Sequence, residues 1–107
     1  MFWRWEKIMT NITVAELAQR LEAPIQLVDV RLPDEYFAGH IEQAINVPYE
    51  VIRNLPAQIS KTEPLYLICT GGVRSVWAAK KLQQQGYNVV NVLAGMDAWT
   101  GPVVVGK

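Results

Sequence analysis

The chain has 107 residues, half of them apolar, with ten basic and ten acidic side chains and a formal charge of zero. That is material for a single packed domain, and the balanced charge supplies neither a basic stripe for nucleic acid nor a cationic face for a membrane surface. One cysteine and one histidine exclude an internal disulfide and an ordinary zinc site, so no metal and no cofactor are expected.

Residues 1–11 read as an N-terminal extension or a first strand, ahead of one domain over 12–107. The opening Met1-Phe2-Trp3-Arg4-Trp5-Glu6-Lys7 is broken by charges, so neither a signal peptide nor a membrane span is expected, and a cytoplasmic setting is. Thr13 and Glu16 have capping-box spacing, Leu17, Ala18 and Leu21 follow at helical intervals, and Pro24 closes that helix. Residues 25–30 form a short β-branched run that suits a buried strand, and a helix restarts at Leu32 with Pro33 in its first turn. A second strand is expected over 44–47, ended by Pro48, and then a loop with a short helical piece over 49–56. Residues 65–68 give the next strand. Helical spacing runs over 75–85, with Val76, Ala79 and Leu82 on one face and Gly86 placed to end the helix, so that Tyr87 packs on Leu82. Residues 89–92 read as a further strand and 95–99 as a last helical turn. Strands alternating with helices predict an α/β fold with a mainly parallel sheet, whose ligands sit at the carboxyl ends of the strands. Asp29 and Cys69 both end strands, which puts them on one rim.

Cys69 is where chemistry is most legible. An apolar run breaks there into Cys69-Thr70-Gly71-Gly72-Val73-Arg74-Ser75 and then into a helix. A turn of this kind aims backbone N–H groups and the positive end of the helix at one spot, and a thiol held there beside a cation ionises readily. A lone cysteine after an apolar run is otherwise a small core residue, but two adjacent glycines and Arg74 are hard to explain by packing. Gly71 and Gly72 let successive amides face the sulfur as an anion-binding concavity. Arg74 either neutralises an anionic substrate or, the favoured reading, locks the loop through a carboxylate such as Asp29. Ser75 is expected as an N-cap or first-turn residue that satisfies free amides. Asp29 and Arg31 read as braces of a strand-to-helix junction, with Glu35 as a partner for Arg31.

Three patches resemble the rhodanese-like sulfurtransferase family, and the resemblance runs from about Ile12 onward. The first is Leu27-Val28-Asp29-Val30-Arg31 with Glu35-Tyr36 and Gly39-His40-Ile41 through Ala44-Ile45-Asn46-Val47-Pro48. The second is the loop from Cys69 to Ser75, and the third is Leu93-Ala94-Gly95-Met96-Asp97-Ala98-Trp99. The resemblance implies a five-stranded, mainly parallel sheet with helices on both faces. It implies a single active cysteine that takes a sulfane sulfur from a donor as a persulfide and passes it to a thiophilic acceptor. Cys69 and Arg74 then carry the chemistry, while Thr70, Gly71, Gly72, Val73, Arg74 and Ser75 bind substrate. Asp29, Arg31, Glu35 and His40 support the site, His40 by tying down a loop rather than as a base. Trp99 matches a core position, Trp77 is expected to pack, and Trp3 and Trp5 either cap a surface or bind nothing. Partners are a small donor and acceptor, thiosulfate or a persulfide on one side and cyanide or a thiol on the other, or a persulfide-bearing protein; a monomer is expected.

Two departures stand out: Gln43 and Ala94 occupy positions where the family often has glycine. Thr70, Gly71, Gly72 and Val73 carry no charge, whereas thiosulfate-using relatives often place a further cation in this stretch, which points away from thiosulfate as donor. The alternatives are a non-catalytic or sulfur-carrier module and, less favoured, a phosphatase or arsenate reductase on the same fold. Those oxyanion enzymes have one more residue between cysteine and arginine, whereas four separate Cys69 from Arg74.

Overall fold

A computed structural model of the protein describes residues 9–106. Its strands are β1 (Thr10–Ile12), β2 (Gln26–Asp29), β3 (Ala44–Asn46), β4 (Pro64–Ile68) and β5 (Asn88–Val92), and its helices are α1 (Val14–Arg20), α2 (Pro33–Ala38), α3 (Val73–Gln84) and α4 (Gly95–Ala98), with a 3₁₀ turn over Tyr49–Val51. The strands make one five-stranded sheet in the order β1-β5-β4-β2-β3, and every neighbouring pair is parallel. Strand β1 straddles the expected boundary at residue 12, while Trp3 and Trp5 lie outside the described residues.

Alternation along the strands sends side chains to two faces. Val28, Leu65, Leu67, Cys69 and Val89 meet Ala78, Ala79 and Leu82 of α3 on one side. Leu27, Tyr66, Ile68, Val90 and Val92 meet Leu17 of α1 and Tyr36 of α2 on the other, with Met96 of α4 packed against them. Strands buried on both faces need apolar side chains at nearly every position, which is why they read as β-branched runs rather than alternating ones.

Local chemistry sets the helix ends. The Thr13 hydroxyl accepts the Glu16 N–H at 3.1 Å and the Glu16 carboxylate accepts the Thr13 N–H at 2.8 Å, the reciprocal cap its spacing predicts. At the far end of α3, Gly86 takes a φ of 97°, and the Tyr87 and Gly86 N–H groups donate to the Leu82 and Gln83 carbonyls at 3.1 and 3.0 Å, closing a Schellman turn. Gln43 replaces glycine usefully: its amide accepts from Ile25 N–H at 3.1 Å and donates to the Leu21 carbonyl at 2.8 Å, clamping the α1–β2 connection.

Three expectations need correction. Helix α3 starts at Val73 rather than Ser75, because the left-handed Gly72 (φ 92°) already turns the chain into it. Its buried face is Ser75, Ala78, Ala79 and Leu82, with Val76 only half-buried. Trp77 does not pack inside: it is 55% exposed, with the Lys80 ammonium over its ring.

Candidate active site

Cys69 follows the carboxyl end of β4, and its side chain falls on the α3 face of the sheet, buried to 1% exposure. The turn that covers it is shaped by two glycines. Gly72, in the left-handed region, donates its N–H to Cys69 Sγ at 3.0 Å, and a Cβ there would come within 3.1 Å of the Ala94 nitrogen. At Gly95, at a φ of 52°, a Cβ would collide with the Cys69 carbonyl oxygen. That close approach lets Met96 N–H donate to the Cys69 carbonyl at 2.7 Å and Asp97 N–H to the Thr70 carbonyl at 2.9 Å. The first amides of α4 thus hold the start of the loop from below. Among the described hydrogen bonds only the Gly72 amide reaches the sulfur, where a run of successive amides was expected.

Arg74 holds the loop from the side, and its partner differs from the expected one. Its guanidinium makes a fork on Glu35 of α2, Nη1 to Oε1 at 3.0 Å and Nη2 to Oε2 at 3.2 Å, and Nη2 also donates to Thr70 Oγ1 at 2.9 Å. The Thr70 hydroxyl donates onward to Glu35 Oε2 at 3.3 Å. Glu35 is already fixed by its own helix, since Oε1 accepts the Leu32 N–H at 2.9 Å. The Arg74 hydrogen bonds bring the Glu35 carboxyl from an ordinary 4.5 down to about 2, against burial, with help from the Leu32 N–H. The same hydrogen bonds, donated to Glu35, raise Arg74 above its ordinary value.

Asp29 is taken by Arg31 instead. Oδ1 accepts Arg31 N–H at 3.0 Å and Nε at 2.9 Å, Oδ2 accepts Nη2 at 2.7 Å, and Arg31 Nη2 reaches on to the Gly39 carbonyl at 2.8 Å. The pair is buried, which such geometry permits because both carboxylate oxygens and the Nε and Nη2 groups of the guanidinium are matched. Asp29 and Cys69 share a rim but not a face: Asp29 pairs in register with Ile68 and points to the α2 side. His40 is also on that side, its Nδ1 hydrogen-bonded to the Tyr36 carbonyl at 2.7 Å and its ring stacked on Tyr36 at 3.6 Å. Its backbone exchanges two hydrogen bonds with Val104 at 2.8 and 2.9 Å, so it pins the segment after α4.

Ser75 sits in the first turn of α3, as expected, but caps no amide. Its hydroxyl donates to Asn91 Oδ1 of β5 at 2.5 Å and accepts from Cys69 Sγ at 3.5 Å. Asn91 Nδ2 donates in turn to Asn11 Oδ1 at 3.0 Å. Asn91 and Asn11 escaped the sequence reading, and Gly95 entered it only as part of the third patch. The available signal was a single polar residue inside the Val89-Val90-Asn91-Val92 run, since a buried amide on a strand must have partners. Val73 lies over the loop, 67% exposed, and among the described residues Arg74 is the one cation within it.

Comparison with known proteins bears on the family and the fold. The rhodanese-like domain family matches residues 13–102. A Shewanella oneidensis protein named thiosulfate sulfurtransferase GlpE is 34% identical over 91 residues, 83% of this chain and 90% of that one. YrkF of Bacillus subtilis, a longer protein, is 33% identical over 94 residues, 85% of this chain and 51% of that one, so the chain spans about half its length. The crystal structure of a rhodanese-like domain protein from Staphylococcus aureus superposes with a TM-score of 0.84 at 36% identity, covering 92% of this chain and 100% of that one. With the parallel five-stranded sheet, the cysteine at its rim and the match over 13–102, the chain belongs to the rhodanese-like domain family.

Proposed function

We propose that the protein is a sulfurtransferase whose Cys69 carries the sulfur. The thiolate attacks the outer sulfur of a donor; a bond forms between Cys69 Sγ and that sulfur as the donor's own bond to it breaks, and the donor leaves with the electron pair. An acceptor nucleophile then attacks the outer sulfur and Cys69 departs as thiolate, so atoms and charge balance over the two halves. The observation that carries this reading is the Gly72 N–H on Cys69 Sγ at 3.0 Å, a donor placed where negative charge rests before the first transfer and after the second. Arg74 is a positioning residue in this scheme, since its fork is spent on Glu35 and Thr70. Asp29, Arg31 and His40 brace the opposite face.

Donor choice follows from the same pair. Thiosulfate is a dianion, and with Arg74 already matched by Glu35 the loop has little free charge to replace its hydration. Persulfides on small thiols or on a partner protein suit the cradle better, although the relative GlpE is named for thiosulfate. The test is mass spectrometry of the intact protein after exposure to thiosulfate and, separately, to a small persulfide. One added sulfur on Cys69, absent from Cys69→Ser and removed by cyanide or a dithiol, is expected. Steady-state transfer should give parallel double-reciprocal lines, and Cys69→Ser that retains most transfer would end the proposal.

A further inference from the structure

From the Cys69 sulfur a chain of polar groups leads through Ser75 to β5 and the sheet edge, and the transfer chemistry alone does not require it. It runs from Cys69 Sγ to the Ser75 hydroxyl at 3.5 Å, to Asn91 Oδ1 at 2.5 Å, and from Asn91 Nδ2 to Asn11 Oδ1 at 3.0 Å. Ser75 and Asn91 have no exposure at all, whereas Asn11 lies exposed on the edge strand β1. Valine or isoleucine at position 91 would match the rest of β5, and a buried amide is tolerated only when its groups are paired.

The direction of the chain matters. As it stands, the thiol hydrogen is given to Ser75, whose own hydrogen goes to Asn91, an arrangement that satisfies a neutral thiol. A thiolate has no hydrogen to give and needs one instead. For Ser75 to donate to sulfur, its hydroxyl must turn away from Asn91 Oδ1, and a hydrogen must then come to the Ser75 oxygen from Asn91. A carboxamide can do this without changing shape: rotated by half a turn about its own bond, it presents Nδ2 to Ser75 and Oδ1 to Asn11, whose exposed amide can turn likewise. Leucine cannot do it, and aspartate, acceptor only, holds the Ser75 hydrogen permanently.

We propose that Asn91 is a positioning residue that reverses its side-chain amide so that the Ser75 hydroxyl accepts from the Cys69 thiol and donates to its thiolate. No proton travels along the chain; only hydrogen-bond directions change, and every buried polar atom stays paired in both states. The proposal rests on Cys69 being the reactive group, but its test does not need sulfur transfer. The charged groups around the loop are Arg74 of α3, Glu35 of α2, Asp97 of α4, whose carboxylate faces Gly71, and Glu50 of the 3₁₀ turn, which acts on Arg74. Cys69→Ser keeps all of these groups and removes the thiol, so it separates their responses from that of the sulfur.

The experiment follows the Asn91 side-chain NH₂ resonances by ¹⁵N NMR across pH in the unmodified protein, beside the pH profile of Cys69 alkylation by iodoacetamide. The two midpoints should coincide, and the NH₂ response should vanish in Cys69→Ser and in Ser75→Ala. Asn91→Asp, nearly identical in shape, should slow alkylation about tenfold at neutral pH, the effect of losing one hydrogen bond to a charged group, and in a Ser75→Ala background that slowing should largely disappear. An Asn91 amide that ignores thiol ionisation overturns the proposal. So does an Asn91→Asp effect that persists undiminished without the Ser75 hydroxyl, which would mark simple repulsion through space. Should Asn91→Asp fail to fold, the resonances of the unmodified protein and of Ser75→Ala decide alone. Were sulfur transfer itself absent while the midpoints coincide, the function would fall and the relay would stand.

Discussion

Arg74 and Glu35 are joined by two parallel hydrogen bonds, at 3.0 and 3.2 Å, across 39 positions of chain. The pair fastens the loop to a helix that packs on the other face of the sheet. Arg74→Ala should therefore reduce sulfur transfer on the order of a hundredfold, in the range seen when a positioned donor is lost, and Arg74→Lys should not restore it, because an ammonium cannot make the fork. His40→Ala should leave the rate per folded molecule nearly unchanged while costing stability by about 1–3 kcal/mol, through the buried ring's lost stacking on Tyr36 and its lost hydrogen bond to the Tyr36 carbonyl, which keeps the Gly39 N–H. Single-turnover transfer paired with thermal melts separates the two, and a rate loss confined to His40→Ala would reverse these roles.

Glu35 gives the pair a signature in acid. Its carboxyl lies at about 2 in the folded protein against an ordinary 4.5. A depressed value means that the folded state favours the carboxylate, so the stabilisation is complete above pH 4.5 and is lost as pH falls toward 2. Melting temperature in that window should fall more steeply for the unmodified protein than for Glu35→Gln. Both side chains are about a third exposed, 34% and 36%, so salt should shrink the difference. Parallel melting curves with pH would deny the pair a part in stability.

Thiosulfate should bind weakly, with a KM at or above about 1 mM, the upper end of the usual range. Adding a cation near the loop should improve it, and the structure distinguishes between the two positions that suggest themselves. Thr70→Lys would break the hydroxyl that links Arg74 to Glu35, whereas Val73, 67% exposed, has room for a lysine. Val73→Lys is expected to lower KM about fivefold at low salt, the worth of roughly 1 kcal/mol for an exposed charge pair, and the gain should fade as salt rises. Initial rates at two ionic strengths check this, and tight thiosulfate use by the unmodified protein would contradict it.

The approach to α4 offers a paired test of backbone geometry. Ala94 stands at a φ of 61°, a conformation that costs an L residue roughly 1–2 kcal/mol and glycine almost nothing. Ala94→Gly should raise stability by about 0.5 kcal/mol once the added freedom of the unfolded chain is deducted. Gly95→Ala should do the reverse, pressing a methyl group on the Cys69 carbonyl and lowering both stability and transfer. Denaturant titration measures both, and a destabilised Ala94→Gly would show that the alanine methyl makes contacts worth more than its strain.

Features decided within a few residues were legible from sequence. The Thr13–Glu16 cap, Pro33 at the start of α2, the Gly86 ending of α3 and the strand run into Cys69 each follow from local spacing. What required the fold was the choice of partners. Asp29 and Glu35 are both carboxylates near Arg31 in sequence, but the strand-to-helix turn lays Arg31 back over Asp29 and leaves Glu35 facing the loop. Trp77 was misplaced because helical spacing cannot tell which of two neighbouring stripes meets the sheet. Ser75 and Ala78 take that place, and small side chains let α3 lie close over Cys69.

The parallel pairing of Thr10–Ile12 with residues 90–92 has a bearing on synthesis. The first strand of this sheet in chain order is held at the sheet edge by the fifth, so β1 waits until β5 has emerged. Closing so long a span costs only slightly more entropy than closing a shorter one, but it cannot begin early. Until it does, Ile12 lacks its register partner Val92 and Asn11 its bond to Asn91, so a nascent chain halted before residue 90 has both β1 and the free edge of β4 open to chaperones.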